Sequence, residues 1–418
     1  MALVVQKYGG SSVGSSDRLM AVARRLIAAK ERGDRVVAVV SAMGDVTDEL
    51  LAKARAISAD PPEREMDMLL ATGEQVTIAL LAMAIHAQGH RAMSLTGAQA
   101  GIVSDGVHTK ARIQEVRADR VMEALDSGYI VIVAGFQGLT PSGEITTLGR
   151  GGSDTTAVAV AAGLSADVCE IYTDVDGVFT ADPRVEPAAR KLDTISYDEM
   201  LEMAATGARV LQLRSVEFAR NHGVVIHVRS SFNDSEGTIV KEADDTMEQA
   251  IISGVTHDTS EAKVTVRDVP DRPGVAAEVF GRLADNNVNI DMIIQNVSES
   301  GTTDISFTTP KDDLVRATKA VREVVADLGA REWSVDESIA KVSLVGAGMK
   351  THPGVAALMF RTLADAGVNL DMISTSAIRI SCVIAADQVG TAVRTLHAAF
   401  GLDDRSVVAE TSPAAPGA

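Results

Sequence analysis

Aromatic side chains are scarce in this 418-residue chain, at 3% with a single tryptophan, although hydrophobic residues as a whole reach 46%. The core must therefore be built mainly from Ala, Val, Leu, Ile and Met. Cysteine is scarce too, since Cys169 and Cys382 are the two present, and two do not make a disulfide framework in a chain of this length. Both lie in segments that predict buried strands, so we interpret them as reduced core thiols.

Positive charge is also in short supply: 39 Lys and Arg stand against 57 Asp and Glu, which gives a formal net charge of -18. That balance argues against a nucleic-acid partner, which needs a concentrated basic surface. The overall electrostatic field of so acidic a protein would not attract an anionic substrate. Any phosphate site must therefore be local, made of backbone N–H groups, a helix start or a few placed cations.

Long apolar runs are missing from the sequence as well. The most apolar run, around residues 78–85, is far shorter than the roughly 20 residues that a membrane span needs. The first ten residues, MALVVQKYGG, predict a strand that enters a glycine turn, without the pattern of a signal peptide. We therefore expect a cytoplasmic protein with no membrane partner.

Apolar strands alternate with helical patterns from residue 1 to about 241. Runs such as VVAVV and IVIV are apolar on both faces, as in a parallel sheet covered by helices, so the pattern predicts an α/β sandwich. The predicted strands are residues 2–8, 35–42, 129–136 and 169–174. The predicted helices begin near Asp17, Thr47, Arg64, Asp154 and Tyr197.

An internal repeat follows a polar, acidic boundary around residues 242–251. The stretch from Pro273, PGVAAEVFGRLADNNVNIDMI, aligns without gaps to the stretch from Pro353, PGVAALMFRTLADAGVNLDMI, with 14 of 21 positions identical. Two copies are too few for a solenoid, so we predict a duplicated module of ferredoxin-like βαββαβ type. Met247 in the boundary is either an ordinary linker residue or an internal translation start.

Residues 7–17, KYGGSSVGSSD, form the first motif with chemistry. A strand ends at Lys7, a turn contains Gly9, Gly10 and Ser11, and Ser16 or Asp17 is predicted to cap a helix. Glycines let backbone N–H groups approach a phosphate, and a helix start favours an anion. The motif is not a P-loop, because its lysine precedes the glycines. A plain strand–turn–helix corner remains the alternative.

Two further segments carry candidate binding groups for a small polar substrate. Ser41 and Thr47 follow another strand, where their hydroxyls bind substrate or, for Thr47, cap a helix. Glu74 stands inside an otherwise apolar helix, LLATGEQVTIALL, and a buried carboxylate is costly unless it is paired. It suits a substrate ammonium group, with an internal salt bridge as the alternative.

A second glycine turn, LGRGGSDTT, contains Arg150, Gly151, Gly152 and Ser153 before Asp154 starts a helix. The guanidinium is a forked cation suited to a carboxylate, and the small residues allow close approach. Asp154 could act only as a helix cap. The arginine within the glycines has no evident structural reason, so we predict a second anion site.

The segment YTDVDGVFTADPR predicts a strand end followed by a turn. Asp174 and Asp176 resemble a short calcium loop, but the glutamate that such a loop requires is missing. Tyr172, Asp182 and Arg184 fit a nucleotide pocket better. His86 and His90 are interpreted as surface residues, and we predict no metal site built from side chains.

Together these motifs resemble the aspartate kinase family, of the amino-acid kinase fold, and the tandem repeat resembles the paired ACT domains that follow it in that family. The resemblance covers roughly residues 1–405. It implies a three-layer α/β sandwich followed by two ferredoxin-like ACT domains. The implied boundaries are residues 1–241 for the catalytic domain, 242–262 for a linker and a strand joining the second ACT domain, 263–335 and 336–405 for the two ACT domains, and 406–418 for a disordered tail.

The resemblance also implies roles. Lys7 would neutralise the transferring phosphoryl group, and Asp154 would orient Lys7 and the substrate. No general base is needed, because the acceptor carboxylate is already ionised. The implied aspartate site comprises Ser41, Thr47, Glu74, Arg150, Gly151, Gly152 and Ser153. The implied ATP site, with Mg²⁺ carried on the phosphates, comprises Gly9, Gly10, Ser11, Tyr172, Thr173, Asp174, Asp182, Arg184 and Arg209. The implied effector residues are Asp271, Gly274, Ala276, Asn289, Asp291, Gln295 and Asn369.

Departures from the family pattern stand out at four positions. Relatives usually carry Lys at the position of Arg209. At the positions of Gln212 and Leu213 they usually carry His or Gln followed by Pro. Relatives inhibited by lysine commonly have Glu at Ala377 and Thr at Ala356. Loss of that carboxylate removes a partner for a lysine ammonium worth roughly 1.5–3 kcal/mol. We therefore predict inhibition by threonine with weakened inhibition by lysine, in a homo-oligomer or α2β2-type assembly formed through the ACT domains.

Other functions stay open at this stage. A kinase acting on another acidic amino acid, such as glutamate, is the main alternative. A non-catalytic amino-acid sensor is a second, although Lys7, Glu74, Arg150 and Asp154 are all present. A NAD-dependent dehydrogenase is weaker, because the dinucleotide fingerprint is absent.

Overall fold

A computed structural model of the chain describes residues 2–243, 251–296 and 301–404. The hypotheses on Met247 and on the tail from residue 406 lie outside these residues. The chain divides into two compact units. The first contains residues 2–179, 191–204 and 209–243, and the second contains 180–190, 205–208, 251–296 and 301–404.

The first unit is built on one large sheet and one small sheet. Its strands are β1 (Leu3–Tyr8), β2 (Arg35–Val40), β3 (Ala92–Leu95), β4 (Ile102–Ser104), β5 (Ile113–Val116), β6 (Ile130–Ala134), β7 (Gln137–Leu139), β8 (Ile145–Thr147), β9 (Val168–Thr173), β10 (Thr194–Ser196), β11 (Ile226–Ser230) and β12 (Thr238–Lys241). In the described residues the large sheet has the order β10-β12-β11-β9-β1-β2-β6-β3, and the small sheet has the order β5-β4-β7-β8. The pairings of the large sheet are parallel except between β11 and β12.

Helices cover the large sheet because its central strands are apolar on both faces. All five residues of β6, IVIVA, are buried, as are five of the six in β2. The helices of this unit are α1 (Gly10–Val13), α2 (Ser16–Glu31), α3 (Val46–Ile57), α4 (Glu63–His86), α5 (Asp119–Asp126), α6 (Gly152–Leu164), α7 (Tyr197–Ala205) and α8 (Leu213–His222). The fold class predicted from the sequence is confirmed.

Helix α4 is longer and more apolar than the sequence analysis anticipated. It is the one helix among the described residues long and apolar enough to cross a membrane by length and composition. More than half of its most apolar stretch is buried, and Ile78, Leu81 and Ile85 pack in the core around β1, β2 and β6. The core helix of a globular unit has the same properties, so these features alone give little support to a membrane span.

The carboxyl ends of the parallel strands meet at one edge of the large sheet. Tyr8 is in register with Val40 of β2 and with Tyr172 of β9, and Val40 is in register with Ala134 of β6. The loops that follow these strands therefore leave the sheet side by side. In open α/β sheets this edge is where ligands bind.

The second unit contains the two repeat modules. Its strands are β13 (Gly254–Asp258), β14 (Glu261–Pro270), β15 (Ile293–Gln295), β16 (Thr302–Pro310), β17 (Glu332–Asp336), β18 (Ile339–Val345), β19 (Met372–Thr375) and β20 (Arg379–Ala385). Its α-helices are α9 (Val275–Asp285), α10 (Leu314–Leu328), α11 (Val355–Asp365) and α12 (Val389–Ala399), and its 3-10 helices are Lys311–Asp313, Ala347–Lys350 and Ala386–Gln388. The first module has the sheet order β15-β16-β14-β17, and the second has β13-β18-β20-β19.

Each module is a four-stranded antiparallel sheet covered by two helices, as a βαββαβ pattern requires. In the second module the outer strand β13 pairs with β18, although it precedes the whole first module in the chain. Both outer strands leave by matching turns, in which Asp258 accepts from Ser260 and Asp336 accepts from Ser338. Each module's outer strand therefore runs directly into the first strand of the other module.

Reciprocal ion pairs join the two modules. Lys263 of the first pairs with Asp371 of the second at 2.5 Å, and Lys341 of the second pairs with Asp291 of the first. Lys341 is 1% exposed and also contacts Glu261 at 2.8 Å. Lysine at 263 and 341, like aspartate at 291 and 371, occupies equivalent positions of the repeat, so the duplication is visible in the contacts as well as in the fold.

Two short segments from the region predicted to be catalytic belong to the second unit. Thr180–Arg190 contributes Ala181, Val185 and Ala189 to the core of the second module. Thr180 also shares a 2.9 Å hydrogen bond with the buried His397 of α12. In Ala205–Ala208, the Thr206 hydroxyl lies 2.6 Å from that of Thr256 on β13.

Candidate active site

Lys7 and Asp154 form an ion pair at the carboxyl-end edge of the large sheet. Lys7 is the next-to-last residue of β1, Asp154 lies in the first turn of α6, and Nζ is 2.6 Å from Oδ1. Both side chains are mostly shielded from solvent. The next residue in the chain after β1 is Gly9, where a Cβ would lie 3.3 Å from Lys7 Nζ. Glycine at this position keeps the space beside the ammonium open.

Residues Gly10–Val13 form a one-turn helix, α1, where the sequence predicted a turn. A Cβ on Gly10 would lie 3.0 Å from the carbonyl oxygen of Ala42, and Gly44 N donates to Gly10 O at 3.1 Å. Glycine thus lets this segment lie against the loop after β2. The prediction that Ser16 or Asp17 caps the next helix is wrong: Ser15 is the N-cap, and its side chain accepts from Arg18 N. A hydroxyl one residue earlier meets the free N–H groups of the first turn.

The hydroxyl of Ser41, directly after β2, donates to Ser153 Oγ at 2.9 Å, which places these two predicted substrate residues together beside Asp154. A Cβ on Gly135, after β6, would lie 2.7 Å from Ser153 Oγ, so that glycine also belongs to the site. Thr47 is not a helix cap, because α3 begins at Val46.

Glu74 is buried on α4, and its side chain reaches the same loop. Its Oε1 accepts from the backbone N–H of Ala42 at 3.0 Å, while its buried Oε2 has no hydrogen-bond partner within the described part of the chain. Burial raises the pKa of Glu74 to about 7, although the Ala42 hydrogen bond opposes the shift. A buried carboxylate with a free oxygen is suited to a cation from outside the protein.

Arg150 lies on an exposed turn between β8 and α6. Gly149 and Gly151 both have left-handed φ angles, +76° and +71°, and Gly152 N closes the turn on Gly149 O at 2.9 Å. A Cβ on Gly151 would fall 1.9 Å from Cγ of Gln212. The glycines of this turn are thus required by the backbone, and the turn places Arg150 directly before Ser153 and Asp154.

Tyr172 stacks on Tyr8, with ring centroids 4.8 Å apart, at the neighbouring strand ends. The guanidinium of Arg25 lies 4.7 Å from the centre of the Tyr172 ring, and that of Arg229 lies 5.9 Å away. Burial raises the pKa of Tyr172 to about 12, with Glu170 contributing in the same direction. No sequence motif predicted a role for either arginine, and their charges add a local positive field beside the tyrosine.

Ser231, in the loop after β11, extends this side of the site. Ser231 shares a 2.6 Å hydrogen bond with Ser12, and its backbone N–H donates to Thr173 O at 2.8 Å. Thr173 in turn donates to Asp174 Oδ1 at 3.1 Å. The glycine–serine segment after β1 and the loops after β9 and β11 therefore form one surface. No sequence motif predicted a role for Ser231 in the site.

The remaining residues predicted to bind ATP are divided between the units. Arg209 is exposed in the first unit. Asp182 and Arg184 belong to the second unit, where they form an ion pair of 2.7 Å. That hydrogen bond holds the pKa of Asp182 below its usual range.

The predicted effector residues occupy two places in the second unit. Asp271, Gly274 and Ala276 lie at the Pro-Gly turn and the start of α9, where Gly274 has a φ of +98°, and Gln295 ends β15. The others lie where the modules meet. Asn289 precedes Asp291, which pairs with Lys341, and Asn369 lines a cavity of about 110 Å³ together with Asp371 and Ser338.

A larger cavity of about 320 Å³ lies in the second module, at the repeat positions equivalent to the Pro-Gly turn and Gln295 of the first. Ala356 and Ala377, the two departures from the lysine-sensitive pattern, line it. Its described lining contains no carboxylate, and Met349, Val355 and Ile380 make it largely apolar.

Metal-ligating side chains do not gather into a cluster of three or more His, Cys, Asp or Glu anywhere in the described residues. His90 lies 3.5 Å from Glu31. The thiols Cys169 and Cys382 are free and buried, as predicted, and burial raises the pKa of Cys382 to about 12.

The first unit is thus an open α/β sheet that presents a cation–carboxylate pair, two glycine turns and a buried glutamate at the carboxyl ends of its strands. Family models agree with this description. Residues 2–230 match the amino acid kinase family, and residues 264–326 and 342–400 each match an ACT domain.

Individual relatives extend the match over nearly the whole chain. An aspartokinase of Mycolicibacterium smegmatis is 57% identical over 98% of this chain and 99% of its own length. The crystal structure of E. coli aspartokinase III with aspartate and ADP has a TM-score of 0.82 at 25% identity, covering 95% of this chain and 99% of that one. The same enzyme with lysine and aspartate gives a TM-score of 0.76 at the same identity and coverage. The chain therefore belongs to the amino acid kinase family and, more narrowly, to the aspartokinases.

Proposed function

We propose that the protein transfers the γ-phosphoryl group of ATP to the β-carboxylate of L-aspartate, forming 4-phospho-L-aspartate. The observation that carries the proposal is the Lys7–Asp154 ion pair at the strand ends, connected through Ser153, Ser41 and the adjacent Ala42 to the buried Glu74. The E. coli relative solved with aspartate and ADP supports this choice of substrates.

The acceptor half of the site suits an amino acid with two carboxylates. Glu74, with its unpartnered oxygen, would bind the ammonium group, and Arg150 would bind the α-carboxylate in a bidentate manner. Both groups would hold aspartate with its β-carboxylate toward Lys7. Further contacts would come from Ser41, Thr47, Ser153 and the backbone of Gly151 and Gly152.

The nucleotide half would use the surface formed by α1 and the loops after β9 and β11. The backbone of Gly9, Gly10 and Ser11 would approach the phosphates, since N–H groups at a helix start favour anions. The remaining contacts would come from Tyr172, Thr173, Asp174, Asp182, Arg184 and Arg209. Mg²⁺ would be carried on the phosphates, because the described side chains offer no cluster to hold it.

Catalysis in this site would consist of positioning and charge neutralisation. The β-carboxylate has an unperturbed pKa of about 3.9, so it is already a nucleophile at neutral pH and needs no general base. Lys7 would stabilise the charge on the transferring phosphoryl group, and Asp154 would hold the ammonium in place at 2.6 Å.

The second unit would regulate the reaction through its ACT domains. We propose inhibition by threonine at the turn of Asp271, Gly274 and Ala276, with Gln295 and Asn369, in an oligomer formed through these domains. The E. coli relative solved with lysine makes lysine the second candidate effector, acting through Asn289 and Asp291. Inhibition by lysine would be weak, because Ala377 leaves the larger cavity of the second module without a carboxylate for the lysine ammonium. The enzyme would act in the cytoplasm, at the first step toward lysine, threonine and methionine.

The proposal is tested by trapping the acyl phosphate with hydroxylamine in the presence of ATP and Mg²⁺. Hydroxamate should form with L-aspartate, and threonine should reduce it. Formation with L-glutamate instead would move the protein to another amino-acid kinase activity. No hydroxamate with any acidic amino acid would favour a non-catalytic sensor.

The Ala377→Glu variant tests the proposal that inhibition by lysine is weak because the cavity lacks a carboxylate. A new carboxylate in the cavity should lower the lysine concentration needed for half inhibition by about tenfold, which corresponds to one charge-assisted hydrogen bond. Ala377→Gln is the control of similar size without charge. Strong inhibition of the unmodified enzyme by lysine alone, equal to that by threonine, would contradict the account.

A further inference from the structure

Asp67 is a buried carboxylate that the proposed chemistry does not use. It lies on α4 seven residues before Glu74, so both side chains are on the same face of the helix. Its exposure is 0%, and a carboxylate so placed is costly unless several donors satisfy it. Thr147 Oγ1 donates to it at 2.5 Å, Thr109 N at 3.1 Å, and His108 Nδ1 lies 2.7 Å from it.

These donors come from two separate segments of the first unit. His108 and Thr109 lie on the loop between β4 and β5, while Thr147 ends β8, three residues before Arg150. The loop is itself fixed, because Asp105 accepts from two backbone N–H groups within it. Asp67 therefore ties an ordered loop to the strand that leads into the arginine turn.

The same two segments also contact each other directly. The backbone N–H of Ala111 donates to Thr147 O at 3.0 Å, and a Cβ on Gly149 would lie 3.0 Å from the carbonyl of Thr109. Arg214 of α8 bridges them from another side, donating to Leu148 O at 2.7 Å and to Ala111 O at 3.0 Å. The backbone that leads into Arg150 is thus held against the loop at Thr147 and at Gly149, and Arg214 ties Leu148 to the same loop.

We propose that Asp67 is a positioning residue for aspartate binding, which it supports by fixing the turn of Arg150; this rests on the proposed function of that arginine. An apolar side chain would fill the core equally well. A carboxylate with donors from both segments also sets their relative position. Bidentate recognition of a carboxylate is sensitive to such placement, since an error of about 1 Å can cost on the order of 100-fold in rate.

The test is Asp67→Asn, alone and combined with Arg150→Ala, in the full-length protein. The single change replaces one acceptor oxygen by a donor that faces the donors of Thr109, Thr147 or His108. We expect the KM for aspartate to rise about tenfold while the KM for ATP stays within about twofold. In the Arg150→Ala background the same change should have almost no further effect, because the group that Asp67 positions is then gone.

Two other variants keep the test decisive. Thr147→Val removes one donor and keeps the shape, so it should raise the KM for aspartate about threefold even where Asp67→Asn does not fold. Glu199→Gln is the matched control: Glu199 is another buried carboxylate of the same unit, accepting from Ser196. It should leave the ratio of the two KM values unchanged.

The positioning role is overturned if Asp67→Asn or Thr147→Val raises the KM for aspartate and the KM for ATP alike. It is also overturned if the effect of Asp67→Asn on the KM for aspartate persists in full in the Arg150→Ala background. Failure of the proposed function gives a different result. In that case Arg150→Ala alone leaves the KM for aspartate unchanged.

Discussion

Glu74 and Lys7 show how single residues define this site. Each could be selected from the sequence because it breaks its local pattern, one as a charge within an apolar helix and the other as a cation at a glycine turn. Arg25, Arg229 and Ser231 could not be selected in this way. They occupy ordinary positions on α2, on β11 and after β11. Only the tertiary fold brings the two arginines to Tyr172 and the serine to Ser12.

The pKa of Glu74 gives a prediction at this scale. With a pKa of about 7 in the free protein, the side chain is mostly neutral at pH 6 and cannot pair with an ammonium group. The KM for aspartate should therefore fall by roughly tenfold between pH 6 and pH 8, then level off, as expected for one titrating group. Initial-rate measurements over this range at saturating ATP test it.

Glu74→Gln is the control for the pH profile. Its KM should be high and nearly independent of pH over the same range, because no group is left to ionise at that position. An unmodified protein with the same KM for aspartate at pH 6 and pH 8 would contradict the assignment of Glu74 to the ammonium.

At the scale of elements, the sequence predicted the repeat and its βαββαβ pattern because local periodicity and a gapless alignment suffice for that. The pairing of strands that are distant in sequence was harder to predict. The pairing of β13 with β18 joins segments about 87 residues apart and came only from the family resemblance. Helix starts shifted by a residue, as with Ser15, since several hydroxyls in a row can serve as the cap.

The duplicated lysines of the two modules give a matched pair of variants. Lys341→Met leaves Glu261 and Asp291 without their shared cation in a buried place, so the second unit should lose about 3–5 kcal/mol of stability. Lys263→Met breaks the equivalent but more exposed pair with Asp371, and should cost less than about 1 kcal/mol.

Calorimetric unfolding of the full-length variants checks this difference. The transition of the second unit should shift to a clearly lower temperature for Lys341→Met and hardly at all for Lys263→Met. Equal shifts for the two variants would show that burial of the cation does not distinguish the two halves of the repeat.

For the whole molecule, the sequence predicted the fold class and the order of domains, and both family models and relatives confirm the kinase and ACT regions. It did not predict that Thr180–Arg190 would pack with the second module. That packing depends on contacts such as the one from Thr180 to His397, 217 residues away. The chain enters this segment from Phe179 and leaves it at Lys191, both of the first unit, so the segment is a covalent path between the two units.

Thr180→Val tests this path. It removes the hydroxyl that meets His397 and accepts from Arg190 N, while keeping the shape of the side chain. We expect the threonine concentration for half inhibition to rise at least threefold, with kcat unchanged within about twofold. Thr395→Val is the control, because the Thr395 hydroxyl donates to the carbonyls of Thr391 and Ala392 in its own helix. Unchanged threonine inhibition in Thr180→Val would remove this segment from the regulatory path.

Transfer of the phosphoryl group to the β-carboxylate of aspartate is tested by isotope-resolved ³¹P NMR of the acyl phosphate. The enzyme is supplied with ATP, Mg²⁺ and aspartate labelled with ¹⁸O in either the β-carboxylate or the α-carboxylate. We expect an acyl phosphate resonance displaced by a bridging ¹⁸O only for the β-labelled substrate. A displaced resonance from the α-labelled substrate, or ADP and inorganic phosphate without any acyl phosphate, would contradict it.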